Sequence, residues 1–335
     1  MVVVGRRYRR CDTAASVASA NEAGSTRGAL GWLRARYGTP GEAAVSNVLA
    51  TASRLPRQLG YRVARAVGLL RYLRQRRLMP VRPEIARLAS DEAQLELWKR
   101  RQSEQRSYAG LELRRAIRAA GPPAGVIRID GLGNLEGGLA EGAGAVLYTF
   151  HLAGLPTLFG GLARLGHPVA VIRAGEEGFA DPFRLARARR QAPRLEEALG
   201  CRLIWMGREN FAAGAMAANA LRRGEIVVAV VDLPVSRPAV EVELLGSRTV
   251  VSGGFAMLAE ATGAPLLDVF CYRDRRPYPL RATIGAPLRA SNGIASTVQA
   301  CVTRLEEHLR RHPEAWVATP NAALMERAPA LRAAA

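Results

Sequence analysis

The chain has 335 residues, 49% of them apolar, enough to bury a substantial core in one large or two modest domains. Its 48 Lys and Arg against 29 Asp and Glu leave a net charge of +19. That charge fits either an arginine-rich surface inherited from a GC-rich coding bias or attraction to something anionic: a membrane surface, nucleic acid or an acidic carrier protein. The four cysteines, Cys11, Cys201, Cys271 and Cys301, have no metal-ligand spacing, which argues against a zinc site and suits a reducing cytosol.

Residues 1 to about 40 are rich in Arg, Ala, Ser and Gly without periodicity, and read as a disordered basic tail. The run Gly5-Arg6-Arg7-Tyr8-Arg9-Arg10 is not followed by an apolar stretch of signal-peptide length. From Glu42 to Ala120 the pattern is helical: Val45, Val48, Leu49 and Leu55, then Val63, Val67, Leu70 and Leu73, recur at helical spacing and alternate with arginine-rich faces. Two readings fit these helices, core packing with a solvated face, or an amphipathic surface resting on anionic lipid.

Past Gly121-Pro122-Pro123, short apolar runs alternate with helical segments. The spacing predicts strands at Val126–Ile129, Ala145–Phe150, Val169–Ile172, Leu203–Met206, Ile226–Val231, Leu266–Tyr272 and Leu280–Ile284. Helices are expected at Thr157–Leu165, Pro182–Leu199, Ala212–Arg223, Gly253–Thr262 and Ile294–Arg311. This is an α/β pattern, a mixed and largely buried β-sheet flanked by helices with an N-terminal helical region. The domain reading is a tail over 1–40, a helical region over 41–120 and an α/β core over 121–325. The stretch Gly142–Ala163 has no charged residue unless His151 is protonated, but its glycines and Pro156 read as strand, loop and helix rather than a membrane span.

His151 ends the apolar run Ala145–Phe150 and precedes the loop residues Gly154 and Pro156. A strand that stops at an imidazole holds a base at the carboxyl edge of a sheet, or caps the strand by hydrogen bonding. Other patterns fall short. Gly131-Leu132-Gly133-Asn134-Leu135-Glu136-Gly137 lacks the Lys-Ser/Thr of a phosphate loop and reads as a turn. Ser252 has Val250 and Gly254 around it and is no nucleophile elbow. His308 and His312 are four apart, but Leu309 stands where a metalloprotease needs its glutamate, so the pair reads as solvated and no metal site is expected. Tyr8, Tyr72 and Trp98 are too few among the arginines for a base-stacking platform, and nothing but charge points to nucleic acid.

Several segments in order resemble the lysophospholipid acyltransferase family, in particular the lauroyl/myristoyl acyltransferases of late lipid A biosynthesis, over roughly residues 45 to 325. They are Gly131–Leu135 with Leu139–Gly142, His151 where that family has its catalytic histidine, Arg173 after the next strand, and Leu221-Arg222-Arg223-Gly224-Glu225 leading to Val230-Val231-Asp232. Leu244-Leu245-Gly246, Leu258–Pro265 and His312-Pro313-Glu314-Ala315-Trp316 complete the set. The resemblance implies His151 as general base for acyl transfer to a hydroxyl of a lipid, glycolipid or related acceptor. It also implies an acyl-carrier protein or coenzyme A thioester as donor, no bound cofactor, and Arg173, Arg222 and Gly246 at the substrate. Arg173 would hold an anionic part of a substrate or pair with a carboxylate. An anionic membrane surface is the expected partner, with the protein cytoplasmic and peripheral on the inner face of the cell membrane.

One departure stands out. The family places Asp or Glu five residues after its histidine, and this chain has Pro156. Val317-Ala318-Thr319 replace the residues usual after the terminal tryptophan, and the family's N-terminal membrane helix is not evident. Asp232, at another strand end, is the candidate to orient His151 in place of the missing acid, although strand-end aspartates also serve as caps and turn formers. The alternative is a catalytically degenerate relative that binds lipid or acyl carrier.

Overall fold

The computed structural model describes residues 40–75, 81–175, 182–206, 211–233, 238–274, 276–290 and 293–317. The expected basic tail lies outside the described residues save for Pro40. The chain divides into two units, Met1–Ala44 and Val45–Ala335, and apart from the first residues of helix α1 everything described below belongs to the second.

Helix α1 (Pro40–Ala52) opens the described chain, and α2 (Arg57–Gln75), the short α3 (Pro83–Ala86) and the 28-residue α4 (Glu92–Ala119) follow. Asp91 caps α4 by accepting from the Gln94 amide at 2.7 Å, and Ala120 ends it in a left-handed conformation. The sheet then builds from β1 (Ile127–Asp130), β2 (Ala145–Thr149), β3 (Val169–Arg173), β4 (Cys201–Trp205), β5 (Ile226–Val230), β8 (Leu266–Tyr272) and β9 (Leu280–Ile284). Helices α5 (Leu132–Ala140), α6 (Leu155–Arg164), α7 (Pro182–Leu199), α8 (Phe211–Arg222), α9 (Gly254–Thr262) and α10 (Ile294–Arg311) join them. A hairpin of β6 (Ala239–Leu244) and β7 (Ser247–Ser252) stands apart.

The seven-stranded sheet runs β1-β9-β8-β2-β5-β3-β4. Strands β8, β2, β5, β3 and β4 are parallel, while β9 runs antiparallel to β8 and pairs in parallel with β1. Every residue of β2 is buried, as a central strand covered on both faces requires. Helices α4, α6 and α7 pack together as one layer, and α8, α9 and α10 as another. The mixed, buried sheet expected from the alternating pattern is therefore present.

Three readings are corrected. Gly131–Gly137 is not a turn: Leu132, Leu135 and Leu139 face the core at helical spacing, so tertiary packing carries α5 despite its glycines. The hairpin β6–β7 was not expected, although Val240, Val242 and Leu244 are buried and alternate with exposed Glu241 and Glu243. His308 and His312 are not solvated: their rings stack on Phe270 and Tyr272 at 5.0 and 4.0 Å, and His308 Nε2 lies 3.4 Å from the buried Asp268 carboxylate.

A buried polar network ties the helical region to the sheet. The Glu112 carboxylate on α4 accepts from Tyr61 of α2 at 2.5 Å, Thr157 of α6 at 2.8 Å and Arg273, just after β8, at 2.8 Å. Arg273 and Glu112 are 3% and 2% exposed, so this pair persists only because each charge is matched and hydrogen-bonded. Cys201, Cys271 and Cys301 are buried free thiols, their pKa values pushed up to about 11, 12 and 12 by burial, and so inert.

Candidate active site

Strands β2 and β5 are neighbours with Thr149 level with Val230, and the Val231 amide extends the ladder by donating to Thr149 O at 2.8 Å. His151 and Asp232 each lie two residues past these strand ends. Equal overhang on adjacent parallel strands brings the two side chains to one place at the carboxyl edge of the sheet. His151 Nδ1 is 2.5 Å from Asp232 Oδ1, and the His151 backbone N–H donates to the same oxygen at 3.2 Å. The other carboxylate oxygen accepts from the Trp316 indole N–H at 2.6 Å.

Arg82 completes the cage. Its guanidinium lies 3.8 Å from Asp232 Oδ2 and 3.5 Å from Glu84, and 4.0 Å over the Trp316 ring. Asp232 is 1% exposed, whereas the His151 side chain keeps 40% of its surface open. Nε2 of His151 has no hydrogen-bond partner among the described residues. Burial works against the charged imidazole, but the Asp232 charge and hydrogen bond outweigh it and hold the His151 pKa above the usual histidine value. Burial alone would raise Asp232; the charge and hydrogen bond of His151, with Arg82 and Trp316, hold it below the usual carboxylate range.

The loop that carries His151 is clamped by the segment after α10. Leu152 bridges to Trp316, the Ala153 amide donates to Ala315 O at 3.3 Å, and the Val317 amide donates to His151 O at 2.9 Å. Trp316 stacks on Phe150 at 4.8 Å, and Gln102 of α4 donates to the Trp316 carbonyl at 2.8 Å. The loop then turns at Gly154, whose φ of 107° sets the start of α6. Pro156 stands in the first turn of α6, where a missing N–H costs nothing.

Arg173, the last residue of β3, sits at the same sheet edge two strands from β2. Its guanidinium lies 5.1 Å over the Trp205 ring, and its positive charge is felt at His151. Among the described residues it meets no carboxylate, and burial lowers its pKa. Arg173 is thus a partly desolvated cation beside the pair, a suitable contact for an anionic group.

Two anticipated positions lie elsewhere. Arg222 ends α8 and bonds Asn219 at 2.9 Å, ahead of β5 and therefore at the opposite edge of the sheet from His151. Gly246 forms the tip of the β6–β7 hairpin, with φ of 70° after Leu245 at 53°. It serves a tight two-residue turn, while the end of the hairpin near the site is the other one, where Ser252 N donates to Val231 O at 2.9 Å. Conversely, Arg82 and Trp316 were not anticipated as site residues. Trp316 has a signal in the His312–Trp316 segment, whereas Arg82 is one of many arginines in the helical region.

Together these groups offer a hydrogen-bonded imidazole with one open nitrogen, a buried counter-charge behind it and a guanidinium alongside. This is the equipment for removing a proton from a substrate with an anionic part. A family model described as bacterial lipid A biosynthesis acyltransferase matches residues 112–319. Two curated relatives, phosphatidylinositol mannoside acyltransferases of Mycobacterium tuberculosis strains CDC 1551 / Oshkosh and ATCC 25618 / H37Rv, are 30% identical over 97 residues. That stretch is 29% of this chain and spans 30% of the length of each relative.

Proposed function

This chain belongs to the bacterial lipid A biosynthesis acyltransferase family, and from that premise we propose that it moves a fatty acyl group from an acyl thioester to a hydroxyl of a lipid or glycolipid acceptor, with His151 as base. In this reading His151 Nε2 takes the hydroxyl proton as the acceptor oxygen attacks the thioester carbonyl carbon. The carbon–sulfur bond then breaks, and the imidazolium returns the proton to the departing thiolate. The products are an acylated acceptor and a free thiol, and His151 is neutral again. Asp232 fixes the tautomer with the proton on Nδ1 and offsets the charge that develops on the ring.

The observation that carries this reading is the 2.5 Å contact between His151 Nδ1 and Asp232. It supplies from β5 the acid that Pro156 removes from the expected place in sequence, and so favours a working base over a degenerate binder. Arg173 is assigned to an anionic part of the donor or acceptor. The donor is a coenzyme A or acyl-carrier-protein thioester. The protein works at the inner face of the cell membrane as a peripheral protein; among the described residues no helix is long and apolar enough to cross a membrane.

The test is to offer the full chain both kinds of acyl thioester with a mixture of lipid and glycolipid acceptors and to follow products by mass. An acylated lipid, released with stoichiometric thiol, is the expected result and identifies the acceptor. Lipid or carrier binding without turnover from either donor would replace the reading with that of a binding protein.

A further inference from the structure

Helix α2 has five arginines and no acidic residue in 19 positions. Its inner face, with Tyr61, Ala64, Val67, Gly68 and Tyr72, is buried against the body of the protein. Its outer face is unusual: Leu70 is 67% exposed, Leu73 54% and Leu59 47%. At 3.6 residues per turn, Leu59, Ala66, Leu70 and Leu73 fall within an arc of about 60°, with Arg62 on one flank and Arg74 on the other. Among the described residues neither Arg62 nor Arg74 meets a carboxylate. The result is an apolar stripe edged by unneutralised cations, pointing away from the core that the same helix helps to build.

The helix that carries the stripe is tied by its opposite, buried face to the scaffold of the candidate site. Ser103 of α4 donates to Gly68 O at 2.9 Å, and the neighbouring Gln102 holds the Trp316 carbonyl. Seven residues after α2 ends, the chain supplies Arg82 to the Asp232 cage.

We propose that this outer face of α2 docks the protein on an anionic lipid bilayer, with Leu59, Leu70 and Leu73 entering the interface and Arg62 and Arg74 meeting lipid phosphates. The charge selects this occupant: a second copy of α2 would set arginine against arginine with no acid on the helix to offset it, whereas an anionic bilayer supplies the complementary charge and an apolar layer beneath it. The inference deepens the acyl-transfer reading by naming the surface through which a lipid acceptor is approached, and it rests on that reading only for this purpose.

The experiment is co-sedimentation of the full chain with vesicles of phosphatidylcholine plus phosphatidylglycerol, and with vesicles of phosphatidylcholine alone. The wild type binds the mixed vesicles, and binding weakens as salt rises. Leu70→Gln with Leu73→Gln lowers partitioning at least about tenfold, since both side chains are open to solvent and their loss leaves the fold intact. Arg62→Gln with Arg74→Gln lowers it about thirtyfold on mixed vesicles and leaves the weak binding to pure phosphatidylcholine unchanged. Failure of the wild type to bind mixed vesicles overturns the proposal, as does wild-type binding by either double variant. So does a result in which the leucine pair disperses a dimer without changing vesicle binding. Acyl transfer to a detergent-dispersed acceptor without any vesicle binding would overturn this surface alone; leucine-dependent vesicle binding without turnover would overturn the function and leave the surface standing.

Discussion

Asp232→Asn isolates the charge behind His151 while keeping the shape of the side chain. In the wild type the carboxylate faces His151 Nδ1 at 2.5 Å, the His151 amide at 3.2 Å and the Trp316 indole at 2.6 Å. A charge pair at 2.5 Å interacts by about 7 kcal/mol at an effective dielectric constant of ~20. The imidazole is 40% exposed, so solvent screens part of this, and desolvation of the carboxylate offsets more. What remains for the step in which the ring becomes positive is roughly 3–5 kcal/mol, a loss of about 10²- to 10⁴-fold in kcat/KM. The asparagine amide also invites the wrong tautomer, with the proton on Nε2, which lowers the rate in the same direction. The pH profile gives an independent sign. Because Asp232 holds the His151 pKa up, the neutral base accumulates, and activity rises, only as pH climbs through that elevated value. In Asp232→Asn the same limb moves to lower pH although the plateau falls. The assay is thiol release from the acyl thioester across pH, with circular dichroism to show that the variant is folded. A folded variant within threefold of wild type, with the limb unmoved, would show that the Asp232 charge does not act through His151.

Three further substitutions probe the supports of the site. Trp316→Phe keeps the ring on Phe150 but removes the indole donor to Asp232, a charge-assisted hydrogen bond worth about 1.5–3 kcal/mol, read as a lower urea midpoint together with reduced turnover. Glu112→Gln leaves the buried Arg273 guanidinium without its carboxylate and lowers unfolding free energy by about 3–5 kcal/mol in the same assay. Gly154→Ala forces a side chain to φ of 107° and places its Cβ 2.6 Å from Leu280, so a loss of about 1–3 kcal/mol is expected, with activity falling because the His151 loop must shift.

The fold was legible where burial leaves a compositional trace. Strands such as Ala145–Thr149 and Leu266–Tyr272 are covered on both faces and read as unbroken apolar runs. Helix α10 carries its apolar face at helical spacing. The hairpin also leaves a trace, since Val240-Glu241-Val242-Glu243-Leu244 alternates with period two. Helix α5 was not legible, because four glycines within Leu132–Ala140 and its flank argue locally against the helix that Leu135 stabilises by burial. His151 could be found because it interrupts an apolar run. Its pairing with Asp232 could only be suggested, because two residues 81 positions apart become neighbours through strand order, which no local pattern encodes. Arg82 was lost among arginines for the same reason. Arg222 ends a helix at the opposite sheet edge and Gly246 turns a hairpin, placements set by strand direction that the likeness of their segments does not encode.

The most direct measurement is the rate of acylated-lipid formation by wild type and His151→Ala, with one acyl thioester at equal protein concentration and products followed by mass. A wild-type product that falls by at least about 10²-fold in the variant is expected, while vesicle binding stays close to wild type and circular dichroism shows a folded protein, although the urea midpoint drops because buried Asp232 loses its imidazole partner. A wild-type product formed equally fast by His151→Ala would contradict the role of His151 as base.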